Sequence, residues 1–275
     1  MRVGEISLGE GAPLVLIGGL NVIENEKATL DAAARIKAAA ERAGMPLIFK
    51  ASFDKANRSS VHSYRGPGLD EGLRILARVK AEHGLPLLTD VHEIEQAKPV
   101  ADVVDCLQIP AFLCRQTDLV TACAATGRAI AIKKGQFVAP NDIRHAVEKV
   151  RRVPGNGDAF VTERGFAFGY NNLVVDMRGL LQMREFAPVC FDATHSAQFP
   201  GAAGQSTGGD RSYVAPLARA AVATGLDALF IEVHPDPENA PCDGPCQIDY
   251  DALGPLLQSV KSIDEILRGS DGSPS

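Results

Sequence analysis

The 275-residue chain has no tryptophan, and aromatic residues make up only 5% of it. A core dominated by large rings is excluded; abundant alanine and glycine suit close packing of helices on a sheet. No apolar run reaches the roughly 18–20 residues that a membrane-spanning helix needs. Met1-Arg2-Val3-Gly4-Glu5 lacks the apolar core of a signal peptide, so a cytoplasmic protein is expected. Basic residues are outnumbered, with 28 Lys and Arg against 34 Asp and Glu and a net charge of -6. That balance argues against bulk nucleic-acid binding, which needs clustered cations, but not against small anions held by local charge in a cleft. No GxGxxG follows the first apolar run, which counts against a dinucleotide-binding sheet. Cys242 and Cys246 form a CxxxC pair, but no second pair completes a zinc site. The six cysteines, at 106, 114, 123, 190, 242 and 246, are expected to be reduced and buried.

What is present is a repeat of short apolar runs separated by helical stretches. The runs are Leu14–Ile17, Pro46–Phe49, Pro86–Thr89, Val104–Ile109, Ala129–Ile132, Ala159–Thr162, Pro188–Phe191 and Ala228–Val233. Short, nearly continuous apolar runs are the pattern of parallel strands buried on both faces. Between them, Leu69, Leu73, Leu76 and Val79 form one helical stripe; Pro140-Asn141-Asp142 opens a helix carrying Ile143, Val147 and Val150; and Asp251–Leu267 reads as the last helix, disturbed at its start by Gly254-Pro255. Eight alternations in one chain of this length predict a single-domain α/β protein, a (β/α)8 TIM barrel over residues 1–268, with an open doubly wound sheet as the alternative. Met1 to Gly11 is expected to form a short hairpin capping the barrel bottom, and 269–275 a disordered tail.

In such a barrel the chemistry sits at the C-terminal strand ends. There the chain places Asn21, Lys50-Ala51-Ser52, Asp90, Gln108, Lys133-Lys134, Glu163-Arg164, Asp192-Ala193-Thr194-His195 and Glu232-Val233-His234. Polar residues follow strands in any case. Lys50 and Lys133, however, sit hard against apolar runs, where a desolvated ammonium needs an anion or a reactive carbonyl. Two chemistries remain open for them: an imine-forming nucleophile, or electrostatic binding of phosphate and carboxylate. The stretch Lys50 to Ser60 interleaves Lys50, Lys55 and Arg58 with Ser52, Asn57, Ser59 and Ser60, a set of cations and short donors suited to phosphate oxygens. His195, Glu232, His234 and Asp243 are candidate metal ligands or proton carriers, or a structural hydrogen-bonded network.

These same residues carry a resemblance. Lys50-Ala51-Ser52-Phe53-Asp54-Lys55-Ala56-Asn57-Arg58-Ser59-Ser60, Thr89-Asp90-Val91-His92-Glu93, Lys133-Lys134-Gly135-Gln136-Phe137, Phe168-Gly169-Tyr170-Asn171-Asn172 and Phe230-Ile231-Glu232-Val233-His234-Pro235-Asp236-Pro237 closely resemble the motifs of the 3-deoxy-D-manno-octulosonate 8-phosphate synthase family, in order from about Gly18 to the last helix. The resemblance implies a (β/α)8 barrel, usually a homotetramer. It implies condensation of phosphoenolpyruvate with D-arabinose 5-phosphate, releasing inorganic phosphate, in the pathway to lipopolysaccharide. It assigns phosphoenolpyruvate to Lys50, Ser52, Gln108, Lys133 and Arg164, with Lys55 and the Ala111 backbone assisting. The pentose phosphate falls to Asn57, Arg58 and Ser59, with Arg115 reaching a neighbouring subunit, and Asp90 faces the reacting centre. The Gly-rich loop Gln198 to Arg211 resembles a mobile lid.

The family has a metal-dependent branch, in which a strand-one Cys joins a His, a Glu and an Asp. Here Asn21 stands in place of that Cys beside His195, Glu232 and Asp243, and Cys242-Asp243-Gly244-Pro245 resembles the metal-independent branch. No metal and no cofactor is therefore expected; Asn21, His195 and Asp243 are expected to position water and sugar instead. The rivals are the erythrose 4-phosphate synthase of aromatic biosynthesis, whose Lys-Pro-Arg-Thr-Ser motif differs from Lys55-Ala56-Asn57-Arg58-Ser59-Ser60; a non-catalytic sugar-phosphate sensor; and an imine aldolase.

Overall fold

The computed structural model describes residues 1–9, 11–155, 158–203 and 206–270. Eight parallel strands close into a barrel: β1 (Val15–Val22), β2 (Leu47–Ser52), β3 (Leu87–Asp90), β4 (Cys106–Ile109), β5 (Ala129–Lys133), β6 (Ala159–Glu163), β7 (Val189–Asp192) and β8 (Ala228–Glu232). Each pairs with the next, and β8 returns to β1 through Ala228↔Val15 and Phe230↔Ile17. The helices α1 (Glu26–Arg42), α2 (Leu69–His83), α3 (Ala97–Val103), α4 (Thr117–Ala124), α5 (Arg144–Arg151), α6 (Met177–Arg184), α7 (Val214–Val222) and α8 (Tyr250–Ser270) follow the strands in turn. The closed barrel is the expected one, and the open sheet is excluded.

Every apolar run predicted as a strand overlaps one. The reason lies in the two faces that each strand must bury. Outward residues such as Leu16, Phe49, Leu87 and Ile132 join the shell packed under the helices. Inward residues such as Val15, Ile17, Ile48, Leu88, Phe160 and Phe230 form a separate cluster inside the barrel. Both faces are apolar, so the runs read as continuous rather than alternating.

The inner cluster is closed from below by the N-terminal hairpin, Arg2–Val3 against Ile6–Ser7. Val3 and Leu8 are buried in the same cluster, and the Met1 ammonium closes the hairpin on the Leu8 carbonyl at 2.9 Å. This is the expected cap; Glu10 lies outside the described residues.

Several boundaries differ from expectation. The stretch after Pro140 first makes i→i+3 turns (Asp142 to Ala139, His145 to Asp142) and becomes α-helical only at Arg144, a tightening common at helix starts. The last helix starts at Tyr250, one residue before the expected Asp251, and carries Pro255 within it. That helix continues to Ser270, so of the expected tail only 271–275 falls outside the described residues. The Gln198 to Arg211 stretch contains an antiparallel ribbon, Gln198–Ala203 with Ser206–Gly209; 204–205 lie outside the described residues. All six cysteines are free and buried, as expected.

Candidate active site

Side chains alternate across a strand, so an inward residue is followed two places on by another inward residue. Going up the barrel, each inward series changes from apolar to polar at the C-terminal end. Ile17 leads past Gly19 to Asn21, Ile48 to Lys50 and Ser52, Leu88 to Asp90, and Cys106 to Gln108. Ala131 leads to Lys133, Phe160 to Thr162, Cys190 to Asp192, and Phe230 to Glu232. All of these polar side chains are buried. They line, or stand directly behind, the floor of a cavity of about 650 Å³ whose lining includes Lys50, Asp90, Gln108, Lys133, Arg164 and His195. Gly19 allows the close approach of β1 to β2 that sets this floor: a Cβ there would lie 1.8 Å from the Lys50 carbonyl oxygen.

The floor is a network of paired charges. Lys50 donates to Glu232 Oε1 at 2.7 Å, to the Asn21 carbonyl at 3.1 Å and to the Leu20 carbonyl at 3.3 Å. Asn21 Nδ2 donates to Glu232 Oε2 at 2.6 Å and to Asp243 Oδ2 at 3.0 Å. Asp90 accepts from Ser52 Oγ and Gln108 Nε2. Lys133 pairs with Asp192, and its Nζ lies 4.2 Å from the centre of the Phe230 ring. His195 Nε2 faces Glu232 at 3.5 Å and Asp243 at 3.7 Å. Arg164 donates to Gln198 Oε1 at 2.6 Å and to the His195 carbonyl at 3.1 Å; its buried Nε has no partner among the described residues. Asp243 reaches the floor from a loop residue with φ +51°, a left-handed conformation that Asp tolerates better than most residues.

Burial and pairing pull in opposite directions here. Burial lowers the Lys50 pKa, and Glu232 only partly restores it. Burial likewise lowers that of Arg164, against the pull of Asp192 and Asp243. The carboxylates go the other way. Burial would raise them, yet Lys50 and Lys55 hold Asp90 far below the usual range, and Lys50 and His195 hold Glu232 at about 2. Asp243 is also low, through its bond and charge contact with His195. Lys55 is raised, because Glu232 and Asp90 outweigh the burial that opposes its charge.

The mouth is built from the loop after β2. Lys55, Asn57, Arg58 and Ser59 line the cavity there, and Arg58 donates to the Pro241 carbonyl at 3.0 Å across the opening. Ala111 lines the wall at the start of a 3-10 turn after β4. Asn21, Ser52 and Glu232 stand behind lining residues to which they are bonded.

Three sequence candidates go elsewhere. His234 points away from the floor, its Nε2 2.8 Å from Glu24 Oε1, and its backbone N–H donates to the Ile248 carbonyl. It is not part of the cluster of His195, Glu232 and Asp243. Lys134 faces outward, donating to the Val138 carbonyl and pairing with Glu163 at 3.4 Å. Arg115 is exposed and outside the lining of this protomer's cavity. Two participants were missed: Asp192, at the end of an inward series, and Gln198, which holds Arg164. Period-two counting along β7 marks the first; nothing in the sequence marks the second. Among the described residues, no group of three or more His, Cys, Asp or Glu is arranged to hold a metal ion, and no helix is long and apolar enough to cross a membrane.

Chemically, the cavity offers buried cations at its floor, a second set of cation and short donors at its mouth, and carboxylates between them. That suits two anionic reactants meeting end to end. The pattern of the DAHP synthetase I family matches residues 2–268. Proteins named 2-dehydro-3-deoxyphosphooctonate aldolase from Trichlorobacter lovleyi, Geotalea daltonii and Geobacter metallireducens are 55%, 56% and 55% identical to the chain over 269 residues, covering 98% of it and 98% of each of them. That name is another for the synthase whose motifs the sequence resembles. With both its length and its motifs accounted for, the chain belongs to the DAHP synthetase I family and stands among its 2-dehydro-3-deoxyphosphooctonate aldolases.

Proposed function

We propose that this cavity condenses phosphoenolpyruvate with D-arabinose 5-phosphate and water, giving 3-deoxy-D-manno-octulosonate 8-phosphate and inorganic phosphate, a step toward lipopolysaccharide. The observation that carries the reading is the two-tier arrangement: Lys50, Lys133 and Arg164 at the floor and Arg58, Asn57 and Ser59 at the mouth of one cavity. Phosphoenolpyruvate lies at the floor, with Gln108 and Ser52 beside it and Lys55 between the tiers. The pentose phosphate lies at the mouth. The enol carbon attacks the aldehyde, water adds at the adjacent carbon, and the hemiketal phosphate loses phosphate by C–O cleavage. Charge develops beside fixed cations and donors, which need no reorganisation to stabilise it. Asp90 faces the reacting centre. All three Lys50 protons have acceptors, so its part is charge rather than covalent chemistry. The lowered Lys50 pKa favours one other reading, an imine; borohydride trapping of Lys50 with substrate tests it.

The reading includes independence from metal. The Asn21 amide gives both its protons to Glu232 and Asp243, the carboxylates that a metal would need, and an amide is a far weaker ligand than a thiolate for a zinc- or iron-type ion. The residues present do not fit that group, and Asn21, His195 and Asp243 hold water and sugar by hydrogen bonds instead. It also includes a homotetramer in the cytoplasm, in which the exposed Arg115 serves a neighbour's sugar phosphate. The test is phosphate release from phosphoenolpyruvate with arabinose 5-phosphate or erythrose 4-phosphate, with and without exhaustive chelation. Turnover with the pentose phosphate that survives chelation is the expected result. Preference for erythrose 4-phosphate, or loss of activity restored by a divalent cation, counts against it.

A further inference from the structure

Asp192 takes no place in the cavity lining, yet two lining groups hang on it. Its Oδ2 accepts from Lys133 Nζ at 2.5 Å and from His195 Nδ1 at 2.7 Å, while its Oδ1 accepts from the His195 backbone N–H at 2.9 Å. The carboxylate is fully buried. Burial opposes its charge, but His195 and Lys133 keep it well below the usual carboxylate range, so it is an acceptor only. A carboxylate oxygen 2.7 Å from a ring nitrogen requires that nitrogen to donate. Lys133, 3.3 Å from the same nitrogen, therefore does not donate to it. The consequence is a fixed ring orientation. Nδ1 carries a proton toward Asp192, and Nε2 is the atom turned to Asn21's neighbours Glu232 and Asp243. The Phe230 ring packs under both Lys133 and His195, leaving them little room to settle elsewhere.

We propose that Asp192 is a positioning residue for the condensation: one buried carboxylate keeps the Nδ1 proton and the aim of His195 and, at the same time, the place of Lys133, so that the water-holding group and the phosphoenolpyruvate-holding cation are fixed relative to each other. A dry, rigidly held orienting carboxylate is what second-layer partners of catalytic histidines provide in other enzymes. The assignment rests on the condensation proposed above. It acts through His195 and Lys133 and touches no substrate itself.

The experiment compares Asp192→Asn, His195→Gln and the double variant in steady-state kinetics with both substrates, alongside 15N-histidine NMR of the unsubstituted chain. For Asp192→Asn, kcat should fall roughly hundredfold or more and KM for phosphoenolpyruvate should rise, while KM for arabinose 5-phosphate stays close to its starting value. A general loosening of the fold would move both KM values together. The double variant should lose no more kcat than His195→Gln alone, because in that respect the two act as a unit, while keeping the raised KM for phosphoenolpyruvate that comes through Lys133; multiplicative losses of kcat overturn the proposal. The NMR measurement needs no stable Asp192 variant. Nδ1 of His195, assigned by the signal missing in His195→Gln, should carry a proton, and an unprotonated Nδ1 overturns the proposal. If the unsubstituted chain does not turn the two substrates over, the condensation reading fails instead, and the NMR result still decides the orientation.

Discussion

At the scale of the residue, the division of labour within Lys50 to Ser60 is the sharpest claim. Lys50 and Ser52 are buried among carboxylates at the floor, whereas Arg58 donates to the Pro241 carbonyl at the cavity mouth. Removing the Arg58 guanidinium leaves the floor network untouched. Arg58→Ala is therefore expected to raise KM for arabinose 5-phosphate on the order of tenfold to a hundredfold, the size of a lost charge-assisted hydrogen bond, and KM for phosphoenolpyruvate far less. Equal rises for both substrates in steady-state assays would show that the two tiers are not separate. Asn21 permits a second test. Its amide hydrogen-bonds Glu232 and Asp243, and a thiolate at that position would replace two donors by a ligand beside two carboxylates and His195. Asn21→Cys is expected to bind a divalent metal at near one equivalent, measured by elemental analysis after gel filtration. No gain of metal over the unsubstituted chain sinks the idea that Asn21 occupies a metal-type position.

At the scale of the element, the barrel was legible because parallel strands buried on both faces leave an uninterrupted apolar trace, and all eight runs overlap a strand. Most of the floor was legible for the same reason: Lys50 and Lys133 stand out only against apolar neighbours. The misreadings come from treating strand ends as undirected. Asp192 stands at the strand end beside His195 without a role of its own in the sequence, although two-residue alternation from Cys190 sends it inward. His234, two places beyond Glu232, was credited with the same direction, although the strand stops before it. Gln198 gave no signal, since its partner Arg164 is set by the ribbon's return and not by spacing. The N-terminal hairpin illustrates how an element can matter for stability alone. Val3 and Leu8 fill the bottom of the inner cluster, a full barrel's depth from the floor. Val3→Ala with Leu8→Ala is expected to cost a few kcal/mol of unfolding free energy, about 2–5 kcal/mol for the leucine alone. Denaturant titration should show that loss, with both KM values unchanged; a changed KM would mean that the plug shapes the active end.

At the scale of the whole molecule, the barrel carries a cluster of buried charges at its active end, and acid should find it. Asp90, Asp192, Glu232 and Asp243 are all held below their ordinary pKa values, Glu232 at about 2 against 4.5. The folded state thus binds fewer protons than the unfolded chain in this window, and stability falls as pH falls. The contribution of Glu232 is complete above about 4.5 and is lost as pH drops toward about 2, and the other three add to the same slope. Guanidinium midpoints measured at pH 7, 5, 4 and 3 are expected to change little down to pH 5 and to drop steeply below pH 4. Protonating Glu232 also leaves Lys50 buried beside a neutral group, which is why the loss should be cooperative with opening of the floor. Replacing both partners at once, Lys50→Met with Glu232→Met, removes the buried pair without stranding either charge. That double variant is expected to be inactive but to show a shallower acid dependence than the unsubstituted chain. An equal slope in the two proteins would show that the Lys50–Glu232 pair is not a source of the acid sensitivity.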